Sequence, residues 1–293
     1  MEIQRRVSEP MTITTDLGDR GISRRGMLKT GLAASVFMAV GPDRVRAQEA
    51  TPSASPVAGL TEEERGWVER ASRNDINGWV HLQIAGAPFE RGFQHGYLIA
   101  AEYADAVRDY EAMTYQTMGF DYSFFVDKAV EFHKSKITPE LTEEMEGIAA
   151  GLTAAGVPTS FDDIIGWNAY QEMTGYWWPT VASQYVNDAP NGNRKSHCSA
   201  FIATGSATTD GRIVIGHQSF TEFWNGQFMN VILDITPTDG HRIVMQTSPG
   251  WVASMTDFWV TGGGMVVVET IGDRCPSRRL LDPCALAFPK LTH

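Results

Sequence analysis

Apolar positions recur at helical spacing between residues 61 and 171 and alternate after residue 197, so the chain reads as a helical half followed by a stranded half. Thr61-Glu62-Glu63-Glu64 has the form of a capping box opening a short helix that reaches about Ser72. Trp79-Val80-His81-Leu82-Gln83-Ile84 alternates as a strand and stops at Gly86. Helical spacing then runs from Glu90 to about Met118, and again from Tyr122 to Lys136, where Phe124, Phe125, Val126, Ala129, Val130 and Phe132 form an apolar face. A third helix starts at Thr138-Pro139-Glu140, with Thr138 as the cap and Pro139 in the first helical position, and ends near Gly151. Ser160-Phe161-Asp162-Asp163 opens a fourth.

From Gly175 to Ser196 the period is lost, and Asn187-Asp188-Ala189-Pro190-Asn191-Gly192-Asn193 concentrates turn formers into an expected exposed, cleavable loop. Three hairpins follow. Cys198–Thr204 pairs with Arg212–Gly216 around Thr209-Asp210-Gly211, Gln227–Ile235 with Arg242–Gln246 around Thr238-Asp239-Gly240, and Phe258–Val260 with Met265–Glu269 around Gly262-Gly263-Gly264. Helices first and hairpins second predict a segregated α+β architecture with an antiparallel sheet.

The first 47 residues are chemically distinct. They hold eight Lys/Arg and five Asp/Glu, a balance of +3, in a chain whose formal charge is −11. Ser23-Arg24-Arg25-Gly26-Met27-Leu28-Lys29, an apolar run from Leu32 to Val40 and then Val45-Arg46-Ala47 resemble a twin-arginine export signal, with Met27 where an aromatic is usual. The run is about half the length of a membrane span, so no integral membrane segment is expected in the mature chain. The resemblance implies passage through the twin-arginine export machinery to the periplasm or the exterior. Residues 48–60, rich in Ala, Pro, Ser and Thr, read as a flexible linker. The acidic remainder argues against a nucleic-acid partner.

Three cysteines make no disulfide framework. His81, His95 and His133 lack ligand spacing and read as surface histidines, so no metal is expected, and no cofactor motif is present. Glu62-Glu63-Glu64 and Glu143-Glu144 read as solvated helix faces. Tyr176-Trp177-Trp178 and Trp224 fit either the wall of an acyl pocket or ordinary packing. Cys198, by composition a small buried hydrophobe, has a second reading from position: it heads the first hairpin directly after the exposed loop. Scission of the His197–Cys198 bond would give it an α-amine that titrates near ~8 and can take the thiol proton.

Gly86-Ala87-Pro88-Phe89-Glu90-Arg91-Gly92-Phe93-Gln94-His95-Gly96 resembles the early signature of the autoproteolytic penicillin acyltransferase-like family. Cys198-Ser199-Ala200-Phe201, Thr209-Asp210-Gly211 and Gly216-His217-Gln218-Ser219-Phe220 resemble the nucleophile hairpin of that family and of its phospholipase B-like relatives. Ser248-Pro249-Gly250, Asp257-Phe258 and Gly264–Thr270 look closest to the phospholipase B-like branch. The resemblance implies an N-terminal-nucleophile hydrolase or acyltransferase in residues 61–271, folded as an αββα sandwich. It makes Cys198 the nucleophile and His197–Cys198 the self-cleavage site. It also puts His217, Gln218 and Ser219 beside the nucleophile and Asp257, Glu269 and Thr270 along the same cleft. Gln218 stands where the family usually has Asn, and Phe220 lies near the position of an acyltransferase aspartate. The implied substrate is a small molecule with a linear amide or acyl ester bond. A catalytically inactive scaffold or binding protein and a phospholipase B-like lipid hydrolase are the alternatives.

Residues 272–293, with Cys275, Cys284, three prolines and three arginines, carry neither period and read as an anomalous tail, out of frame or truncated. Relatives continue with a second sheet, closing helices and an oxyanion-hole asparagine, so the sandwich is expected to be incomplete at the C-terminus. This form is then expected to be inactive or nearly so, since losing one oxyanion donor costs about a hundredfold to a thousandfold. For the signal, Arg24→Lys combined with Arg25→Lys is expected to retain the protein in the cytoplasm. Cell fractionation checks this, and unchanged export of the double variant would refute the assignment.

Overall fold

A computed structural model describes residues 59–186, 198–256 and 258–268, all within one unit spanning Ala54–His293. The signal segment, most of the linker, the 187–193 loop and the 272–293 tail lie outside the described residues. The architecture is mixed α+β: a helical layer, a six-stranded sheet and a separate two-stranded hairpin.

Helix α1 (Glu62–Arg70) begins at the expected capping box. Thr61 N–H donates to Glu64 Oε2 at 2.7 Å, and Glu64 N–H donates to Thr61 Oγ1 at 3.2 Å. A strand follows that the periodicity does not announce, β1 (Ser72–Ile76), paired antiparallel with β2 (Trp79–Gly86). Its sequence, Ser-Arg-Asn-Asp-Ile, is polar because it lies at the sheet edge, where an apolar strand would invite intermolecular pairing. The legible signal was the turn: Asn77 and Gly78 both take positive φ, 51° and 83°, as a two-residue hairpin requires.

The expected single helix from Glu90 to Met118 is two, α2 (Pro88–Leu98) and α3 (Ala100–Met118), broken at Ile99, whose ψ is 9°. The break serves two cores. Ile99 is wholly buried with Val80, Leu82, Ile84, Val231, Leu233, Ile235 and Met245 beneath the sheet. Tyr103, Ala106 and Tyr110 of α3 face the helical core instead. That core is completed by α4 (Tyr122–His133), α5 (Pro139–Ala154) and α6 (Phe161–Asn168). Ser160 and Asp163 form a capping box on α6, whereas Thr138 makes no side-chain cap on α5, which starts on Pro139 alone.

Helical structure continues past Gly175, contrary to the sequence reading. Glu172–Trp177 is a π-helical turn, leading into α7 (Trp178–Val181). A π turn carries more residues per turn than 3.6, so its apolar positions look aperiodic. Trp177 and Trp178 both pack into the helical core against Phe125, which is ordinary packing.

The stranded half contains the three expected hairpins: β3 (Ser199–Gly205) with β4 (Gly211–Gln218), β5 (Val231–Pro237) with β6 (Ile243–Thr247), and β7 (Phe258–Thr261) with β8 (Val266–Val268). A short helix, α8 (Phe223–Gly226), and a turn occupy the residues before β5, so that strand starts four residues later than expected. The sheet order is β1-β2-β5-β6-β7-β8, and β2 runs parallel to β5. The expectation of a purely antiparallel sheet contributed only by the second half is therefore corrected. Strands from the helical half supply one side of it, because Val80, Leu82 and Ile84 need the apolar face that Val231, Leu233 and Ile235 offer in register.

Helices α2 and α5 approach backbone to backbone. A Cβ at Gly92 or Gly96 would overlap the carbonyl oxygen of Glu144 or Ile148, and one at Gly147 or Gly151 would overlap that of Phe89 or Phe93. Glu144, expected on a solvated face, is buried beside this contact. Arg91 Nε and Nη2 donate to Glu144 Oε2 at 2.9 and 2.6 Å, and Nη2 also reaches Glu140 Oε1 at 2.9 Å. Glu144 shares a helix face with Gly147 and Gly151, so seating the glycines seats the carboxylate. Gly96→Ala is expected to destabilise the fold by about 1–3 kcal/mol through overpacking, although alanine is the better helix former by about 1 kcal/mol. Urea unfolding checks the sign, and a gain in stability would show that the helices can separate freely.

Candidate active site

Cys198 directly precedes β3, and its neighbours come from the end of β4. Ser199 pairs with Gln218 and Ala200 with His217 across the hairpin. The chain turns out of β4 so that the Phe220 N–H donates to Cys198 Sγ at 3.5 Å. Ser219 Oγ lies 3.4 Å from His217 Nδ1 and donates to the Thr256 carbonyl at 3.2 Å. Cys198, His217 and Ser219 are half-buried, while Gln218 is exposed and donates its Nε2 to the Ser219 carbonyl at 3.1 Å. Of the sequence-derived site, Cys198, His217, Gln218 and Ser219 are thus assembled at one end of the hairpin. His197, Asp257, Glu269 and Thr270 lie outside the described residues.

The Gly86–Gly96 and Ser248–Gly250 blocks, about 150 residues apart in sequence, meet in the interior. Gly250 takes a φ of 73°, and a Cβ there would press on the Tyr103 ring. Its N–H donates to His95 Nε2 at 3.2 Å, its carbonyl accepts from Asn168 Nδ2 at 3.1 Å, and the Pro249 carbonyl accepts from Trp167 Nε1 at 2.6 Å. His95 is therefore no surface histidine. It is wholly buried, and burial with no facing carboxylate pushes its imidazole down to about 4. His133 is also half-enclosed and held below its ordinary value by burial and by Lys136. His81 stays partly exposed, 3.8 Å from the buried carboxylate of Asp234.

Several residues of this region carry no sequence signature. Tyr110 donates to Asn225 Oδ1, and Asn225 Nδ2 donates to Thr221 Oγ1 at 2.8 Å. The one available clue was the i, i+4 spacing of Thr221 and Asn225 beside the hairpin. Among the described residues, no cluster of three or more His, Cys, Asp or Glu side chains could hold a metal ion, and no helix is long and apolar enough to cross a membrane.

No protein-family model matches the chain. An uncharacterized protein of Archaeoglobus fulgidus is 29% identical over 188 residues, a stretch covering 60% of this chain and 30% of that protein. The matched stretch thus spans under a third of the relative's length.

Burial of His95 and His133 sets a pH dependence. Near neutral pH and above, both imidazoles are neutral in the folded and unfolded chain alike. Between the unfolded value of 6.5 and about 4, the unfolded chain takes up a proton that folded His95 refuses, so stability falls as pH falls. His95 alone accounts for about 3 kcal/mol across that window. Glu144, whose carboxyl is raised by burial, opposes the trend in the carboxylate range. Urea unfolding from pH 7.5 to 4.5 is expected to show this decline, and His95→Gln should flatten it while lowering stability at neutral pH.

Proposed function

We propose that the chain is an exported cysteine hydrolase of the N-terminal-nucleophile type, with Cys198 as both self-cleaving residue and nucleophile. The observation that carries the reading is the placement of Cys198. It stands at the head of an antiparallel hairpin, immediately after residues 187–197, with its sulfur in reach of the Phe220 N–H, with His217 on the paired strand and Ser219 just past that strand's end. On this reading the helical layer and the sheets belong to an αββα sandwich, and the protein acts outside the cytoplasm after twin-arginine export.

The chemistry follows from that position. Hydrolysis of the His197–Cys198 bond, in which water leaves His197 with a carboxylate, frees an α-amine on the nucleophile's own residue, and this amine takes the thiol proton as the sulfur attacks a substrate carbonyl. Collapse of the tetrahedral adduct leaves a thioester and expels the amine, which collects the proton. Water, deprotonated by the same α-amine, then attacks the thioester and releases the acid. The substrate on this reading is a small linear amide or acyl ester, and on the family pattern Asp257, Glu269 and Thr270 would line its cleft. Gln218 differs from the usual asparagine not only in length: its amide is turned to the Ser219 carbonyl.

Intact-mass analysis of the purified full-length chain is expected to show two fragments meeting between His197 and Cys198. Cys198→Ala is expected to remain uncut and, in a chain whose C-terminus is restored to the family pattern, to abolish turnover of a chromogenic linear amide. An uncut chain that still hydrolyses amides would overturn the mechanism, and an uncut, inactive chain would favour the scaffold reading.

A further inference from the structure

The segment between the hairpin and β5 carries groups that the proposed chemistry does not use. Tyr110 of α3 is wholly buried, and its ring is caged edge-to-face by Trp167, Tyr170 and Trp224, with centroids 4.6–4.8 Å away. The phenol cannot swing aside without opening that cage. Burial holds its hydroxyl well above the ordinary tyrosine range, so it stays protonated and acts as a donor. The acceptor is Asn225 Oδ1, in the buried amide of α8. With Oδ1 committed to the phenol, Nδ2 must point the other way, and it donates to Thr221 Oγ1 at 2.8 Å. Thr221 follows Phe220, the residue whose N–H reaches Cys198 Sγ at 3.5 Å. The near end of the same segment is anchored by Ser219 Oγ on the Thr256 carbonyl at 3.2 Å.

A four-residue connection leaving a strand would ordinarily be adaptable. Here one end is pinned to the sheet side and the other, through an amide of fixed orientation, to a wholly buried ring caged by three aromatic side chains in the helical core. The N–H between the two pins is the one aimed at the sulfur. We infer that Tyr110 and Asn225 are positioning residues for the nucleophile, holding the Phe220 N–H against Cys198 Sγ through Thr221. A hydrogen bond to sulfur favours the thiolate over the thiol. The inference rests on the hydrolase reading for its catalytic meaning, but the hydrogen-bonded path is testable without turnover.

The test uses the full chain carrying Cys275→Ser and Cys284→Ser, so that Cys198 is the sole thiol, and follows iodoacetamide alkylation as a function of pH. Tyr110→Phe and Asn225→Ala are expected to slow alkylation about tenfold at neutral pH. Thr221→Val should behave like them, and Thr221→Ser, which keeps the acceptor, should match the parent. Thr114→Val is the control for stability alone. It removes a buried hydroxyl bonded to the Tyr110 carbonyl and Tyr170 but leaves the Asn225 path intact, so its profile should stay with the parent. Should Tyr110→Phe fail to fold, the Thr221 pair decides. Unmoved profiles in the Asn225 and Thr221→Val variants would overturn the inference. A moved profile in a chain that neither cleaves itself nor hydrolyses amides would reject the hydrolase reading and leave the positioning role standing.

Discussion

The backbone contact between α2 and α5 is the constraint on which the rest of the structure depends. Four glycines, at positions 92, 96, 147 and 151, let each helix press its carbonyls into the surface of the other, and any side chain there would force the pair apart. Everything attached to α2 takes its place from that contact. Gln94 clamps Ala85 at the end of β2, its Oε1 accepting from the N–H and its Nε2 donating to the carbonyl. His95, in the same turn, receives the N–H of Gly250 from the far half of the chain. Arg91 closes the side of the contact on Glu144. A buried pair of this kind adds little over an apolar pair of the same shape, but leaving either partner alone costs about 3–5 kcal/mol. The glycine spacing therefore works together with the charges: once the helices touch, the ion pair has no way back to water.

Rigidity is unevenly distributed around this centre. The segment Ser248–Val252 is fixed from three sides, by His95, by Trp167 and by both ends of the Asn168 amide. The β3–β4 hairpin is held differently. Phe201, Ile202, Ile213 and Val214 are largely exposed along it, and its described side-chain ties to the body gather at the Cys198 end, at Ser219 and the segment that follows. Local opening costs least where apolar burial is least, so the far end of the hairpin is the softer part and the Cys198 end the firmer one. The Cys198 sulfur lies at that firmer end. Its hydrogen-bond donor is carried by the anchored end, while the strands behind it need only keep their register.

The sequence by itself determined the elements whose cause is local. The capping boxes at Thr61 and Ser160, Pro139 at a helix start and the three hairpins after Cys198 were legible because a cap, a proline or a glycine turn acts over a few residues. The neighbours of Cys198 were legible for the same reason, since a hairpin register follows from its turn and sets Ser199 opposite Gln218 and Ala200 opposite His217 without help from the rest of the chain. What only the tertiary structure decided depends on partners distant in sequence. β1 is a strand because β2 offers it an edge, not because Ser72–Ile76 alternates. Ile99 breaks a helix because two cores compete for its two sides. His95 and Glu144, which read as surface residues, are buried because the glycine contact draws their helix faces inward. The path from Tyr110 to Cys198 joins α3, α8 and the hairpin across more than 80 residues, and burial against residues so far away leaves no period or motif in the chain.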